Sequence, residues 1–183
     1  MRFVVALLLM AAPALADKVC AEAWFARNLI ADRGGYCFGS PLGQALFDNS
    51  DCATKQPALS AADARRIALL RSTEIEWSCA VDTDSAVLPH APEHLRAFDP
   101  VPAITGYESA CDGWLGPRTF VRSGPGGRVM GEIVSGDTVM FLHATDEGSS
   151  LEFLTVMRDG VVVARGWHPP ILPEAGQCEM FAG

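Results

Sequence analysis

The sequence predicts an α+β protein, a small disulfide-stapled helical domain followed by a small β-barrel. Three observations predict it. Six cysteines, Cys20, Cys37, Cys52, Cys79, Cys111 and Cys178, lie behind an apolar leader. Residues up to position 79 carry helix start and stop signals. After Trp114 short apolar runs alternate with glycine turns.

The leader is MRFVVALLLMAAPALA, residues 1–16. Arg2 supplies the charged start, Phe3 to Met10 the apolar stretch, and Ala14-Leu15-Ala16 a small-x-small cleavage site. That pattern is a secretory signal peptide. It is too short to span a bilayer, which needs about 20 apolar residues. No later stretch is long and apolar enough either, so no membrane span is expected. An even cysteine count in an exported chain reads as three disulfides. Sequence order suggests Cys37–Cys52 and Cys20–Cys79 in the first part and Cys111–Cys178 in the second. Each closure stabilises by about 2–4 kcal/mol. No Cys-x-x-Cys or Cys-His zinc spacing occurs, and no cofactor is expected.

The elements follow in order. Residues 21 to 33 read as a first helix, with Trp24, Phe25, Leu29 and Ala31 at three- and four-residue spacing. Glu22 near its start and Arg33 near its end suit the helix dipole. Gly34-Gly35 stops it. Ser40-Pro41 caps a short helix, Leu42 to Phe47. Ser60-Ala-Ala-Asp63 opens the longest helix, Ala61 to Trp77, with Ala64, Ile67, Ala68 and Ile75 inward and Arg65, Arg66 and Arg71 solvated. Prolines 89, 92, 100 and 102 mark residues 80–110 as a linker with one helical turn near Glu93 to Phe98. His90 and His94 share a helical spacing, but no third metal ligand accompanies them. Strands are expected at Arg118 to Arg122, Val129 to Val134, Thr138 to His143, Leu151 to Met157 and Val161 to Ala164. Asp159-Gly160 is a hairpin signal. Residues 111–183 form the second domain.

Two resemblances sharpen these domains. Arg27-Asn28-x-Ile30-x-x-Arg33-x-Gly35-Tyr36-x-Phe38, within residues 17–79, resembles the YARHG domain, a small extracellular bacterial module. Ala31 and Gly34 stand at its Tyr and His positions. Phe120-Val-Arg-Ser-Gly-Pro-Gly-Gly-Arg-Val-Met-Gly-Glu-Ile-Val-Ser-Gly-Asp-Thr-Val139 and Gly166-Trp167 resemble a bacterial Src-homology-3 domain over residues 114 to 172. That resemblance implies a small β-barrel that binds or positions and does not catalyse. The tandem order resembles a secreted family ending in a domain of unknown function.

The chemistry agrees. A net charge of −8 disfavours a general field for nucleic acid or anionic lipid. No Gly-x-Ser-x-Gly elbow is present, and no carboxylate pair stands out. The expectation is therefore a non-catalytic, periplasmic or secreted module of the cell envelope, binding peptidoglycan or a protein partner. A structural accessory of an envelope assembly is the alternative, and a small secreted hydrolase a weaker one. Candidate binding residues are Arg27, Asn28, Asp32 and Arg33 on the first helix, and Trp114 and Trp167 in the β half. Asn28 and Asp32 share a helix face and are expected to bond. Arg33 is expected to cap the last-turn carbonyls or hold the Cys37–Cys52 loop, and Arg27 to reach the long helix. Trp114, Phe141 and Trp167 would line an aromatic groove.

Overall fold

Helix α1 runs from Ala12 to Arg33. The computed structural model describes residues 12–145 and 150–182. Most of the expected leader lies outside them, and Ala12 to Ala16 belong to α1. The helix thus begins well before the expected residue 21. Glu22 is consequently mid-helix and not a dipole partner. The C-terminus closes as expected. Gly35 takes φ 79°, while Tyr36 N–H bonds the Ala31 carbonyl and Gly35 N–H that of Asp32. This double bond satisfies carbonyls that the last turn leaves open.

Helix α2, Pro41–Leu46, is capped by Ser40, whose oxygen accepts from Gly43 N–H. Helix α3, Ala61–Glu76, starts on Ser60, which accepts from Asp63 N–H. Its inward face is Arg66, Ile67, Leu70 and Thr73. Ile75, expected inside, is 80% exposed. Arg66, expected in solvent, is buried and pairs with Asp63 at 3.0 Å. The inward stripe follows the three- and four-residue steps through Ile67 and Leu70, which puts Ile75 on the far side.

One antiparallel sheet of seven strands makes up the second half: β1 Ile104–Trp114, β2 Thr119–Arg122, β3 Val129–Ile133, β4 Thr138–His143, β5 Glu152–Arg158, β6 Val161–His168 and β7 Cys178–Ala182. Their order is β3-β2-β6-β5-β4-β1-β7. The two ends do not pair, so the sheet is open where a closed barrel was expected. The hairpin at Asp159-Gly160 joins β5 to β6, with both residues at positive φ. Strands β1 and β7 had no expected counterpart. Strand β1 lacks clean alternation, carries Gly106 and Gly113, and has irregular register between Ile104 and Ser109. Its pairing with β4 and β7 on either side creates it.

The segment read as a linker is a packed layer. Around the 3-10 turn Glu93–Ala97, Leu95, Phe98 and Val101 are almost wholly buried. They join the helices' core (Phe25, Leu29, Leu70) to Phe153 and Trp167 of the sheet in one continuous cluster. A second cluster, including Cys111, Trp114, Val121 and Leu154, lies within the sheet half. Thr73 of α3 and its C-cap Trp77 also donate to the Ile104 and Thr105 carbonyls of β1, at 3.0 and 3.1 Å. All three expected disulfides are present: Cys20–Cys79, Cys37–Cys52 and Cys111–Cys178.

Candidate functional site

The polar residues singled out on α1 point in different directions. Arg27 grips Glu74 of α3, with Nη2 to Oε1 at 3.0 Å and Nε to Oε2 at 3.1 Å. That is the expected reach to the long helix. Asn28 does not bond Asp32: its Nδ2 donates to the Trp24 carbonyl at 2.8 Å, one turn back. Asp32 is half-buried, and burial pushes its carboxyl up against the opposing charge of Arg96. Arg33 caps neither its own helix nor the disulfide loop. Its guanidinium donates to the carbonyls of Phe98 at 2.9 Å and Arg96 at 3.1 Å. The planar fork suits two carbonyls at once, so it ties α1 to the packed strap.

The two tryptophans are core residues. Trp114 is 1% exposed and Trp167 2%. Each indole N–H donates to a backbone carbonyl, Pro117 at 3.1 Å and Pro100 at 3.0 Å. Burial with a satisfied N–H is the usual place for such a ring, and neither lines a groove. Only Phe141 of the expected aromatic set stands at a cavity.

What does open to solvent is a groove of about 480 Å³ between α1, α3 and the loop from Tyr36 to Leu59. Arg27 and Asn28 enter it from α1, Ile67 and Arg71 from α3, and Tyr36 and Lys55 from the loop. Helical spacing places Ile67 and Arg71 one turn apart on the wall. Lys55 bonds the Cys37 carbonyl at 2.5 Å and sits 5.6 Å from the Tyr36 ring centre. Glu74 offsets the charge of Arg27, which leaves Lys55 and Arg71 exposed at the groove. Backbone closure of the loop by Cys37–Cys52 fixes Tyr36 and Lys55 against the helices. The groove thus sets two exposed cationic side chains beside the Tyr36 ring.

A second polar cluster was invisible from spacing. Glu22 of α1 and His143 of β4, 121 residues apart, meet at 2.7 Å. Their side chains are 18% and 3% exposed. Burial alone would raise the Glu22 carboxyl. The His143 hydrogen bond, with the charges of His143, His94 and Arg165, outweighs it and holds the carboxyl below its ordinary value. Burial and Arg165 push His94 down. This cluster joins α1, the strap, β4 and β6, and its only sequence signal was an acid on the inner face of α1. His90 turns away, exposed at φ 59°, and no three-residue metal cluster exists among the described residues. No helix among them is long and apolar enough to cross a membrane.

Comparison with known families divides the chain where the fold does. A family model of the YARHG domain matches residues 1–75. One described as a domain of unknown function (DUF4453) matches residues 78–183. The Src-homology-3 resemblance finds no counterpart among these matches. No curated protein and no solved structure shows significant similarity to the chain.

Proposed function

The chain belongs to the DUF4453 family, and from that premise we propose that it is a non-catalytic binding module of the cell envelope. One observation carries the reading: a net −8 chain sets two exposed cations, Lys55 and Arg71, at one open groove in its YARHG half. An acidic surface with a local cationic groove selects anions by position and not by bulk field. The ligand we favour is the carboxylate-bearing peptide part of peptidoglycan. Three disulfides and a leader-like start support a periplasmic or secreted location. A relation of the β half to Src-homology-3 domains rests on the stretch of residues 120–139 and on the Gly166-Trp167 step, where Gly166 packs against the Arg122 backbone. A β-carbon there would fall 2.6 Å from the Arg122 oxygen.

The test is co-sedimentation of the purified, oxidised chain with isolated peptidoglycan. Retention that Lys55→Glu/Arg71→Glu abolishes supports the reading. Full recovery in the supernatant, together with capture of an envelope protein, would replace it with the accessory role.

A further inference from the structure

The geometry points to a second binding site, in the β half, that takes an uncharged saccharide ring. The inference rests on the envelope-binding reading and concerns a different surface. A cavity of about 310 Å³ lies over one face of β1, β4 and β7. Strand alternation presents Thr105, Tyr107 and Ser109 there from β1, Phe141 and His143 from β4, and Phe181 from β7. The register supports this, since Ser109 pairs with Phe141 and Cys111 with Phe181.

Three features set the ligand class. First, Phe141 and Phe181 stack with centres 5.5 Å apart, and Tyr107 is 62% exposed beside them. Aromatic faces of this kind suit a flat apolar surface. Second, polar capacity is left over. His143 gives Nε2 to Glu22, while its Nδ1 is buried with no partner. Glu152 accepts from Ile171 N–H through Oε1, and the Ser109 hydroxyl is unbonded among the described residues. The Ser109 hydroxyl and the Glu152 carboxyl at the cavity can exchange hydrogen bonds with ligand hydroxyls. Third, no Lys or Arg lines the cavity. Strong anions therefore find no counter-charge there, and the acid present, Glu152, can accept from ligand hydroxyls. Aromatic rings bordered by hydroxyl and carboxyl groups, with no cation, suit a pyranose. The volume is at the low end for ligand pockets, about 300–1,000 Å³, which fits one ring and not a long chain segment.

The experiment titrates the ¹⁵N-labelled full chain with the tetramer of N-acetylglucosamine, and separately with triglutamate. The saccharide is expected to shift amide signals of residues 105–109, 141–143 and 181. Tyr107→Ala, at an exposed position, should weaken saccharide binding about tenfold and leave triglutamate binding unchanged. Lys55→Glu/Arg71→Glu should do the reverse. No shifts at millimolar saccharide, or shifts that map outside this cavity, would overturn the inference. Triglutamate binding without saccharide binding would sink this site alone. Saccharide binding without triglutamate binding would sink the cationic groove alone.

Discussion

The helical half and the sheet half open surfaces of different chemistry yet share one interior. In the helical half the open groove is cationic, with Lys55 and Arg71 beside Tyr36. In the sheet half the open cavity has no Lys or Arg and is aromatic, built on Phe141, Phe181 and Tyr107. Between them, side chains that look functional in the sequence act as fasteners. Arg33 holds the strap, Arg27 holds α3, and Trp167 fills the common core. Arg33, Trp167 and the Glu22–His143 pair join the halves through fixed partners, Arg27 joins two helices of one half, and Lys55 and Arg71 face solvent.

If the halves form one cooperative unit, damage to either should unfold both. The largest effect is expected from the long disulfides. Cys20–Cys79 spans 59 residues and Cys111–Cys178 spans 67. Loop entropy assigns each about 4 kcal/mol, against about 3 for the 15-residue Cys37–Cys52 loop. Paired Cys→Ser variants followed by urea titration should rank in that order. A lone loss of sheet signal in the Cys111→Ser/Cys178→Ser variant would instead show independent halves.

Next comes Glu22→Ala. It leaves His143 buried without its acid, at a cost of about 3 kcal/mol. Circular dichroism in the far and near ultraviolet should report one shared transition. Arg27→Ala follows at about 2 kcal/mol, because Glu74, 18% exposed, loses a charged hydrogen-bonding partner. Arg33→Ala should cost about 1 kcal/mol, since its side chain is already 36% exposed and water replaces part of what is lost.

The smallest effect is a pH dependence. The folded Glu22 carboxyl lies below its ordinary 4.5. Its stabilisation is therefore present above 4.5 and is lost as pH falls through the lowered value. The gap in melting temperature between wild type and Glu22→Gln should be widest near neutrality and close below 4.5. His94, held down by burial, adds a separate loss as pH falls below its ordinary 6.5, because the unfolded chain then takes up the proton.

Much of this was legible in the chain. Ser40, Ser60 and Gly35 set helix ends through local bonds, and local bonds are written in short stretches. The cysteine order revealed the pairing. Strand β1 was not legible, because Gly106 and Gly113 broke its pattern and its partners lie about 30 residues downstream in β4 and at the C-terminus. The Glu22–His143 pair was illegible for the same reason, since nothing local connects residues 121 apart. The groove was half legible. Arg27 and Asn28 stood out, but Lys55 and Arg71 reach it only after the loop folds back and α3 docks.

The central claim is that the cationic groove binds a carboxylate ligand. Its most direct test is fluorescence anisotropy of a labelled triglutamate, with wild type beside Lys55→Glu/Arg71→Glu at matched salt. The account predicts saturable binding that the double variant loses by at least about tenfold and that weakens as salt rises. Equal affinity in the two proteins, with both folded, would contradict it.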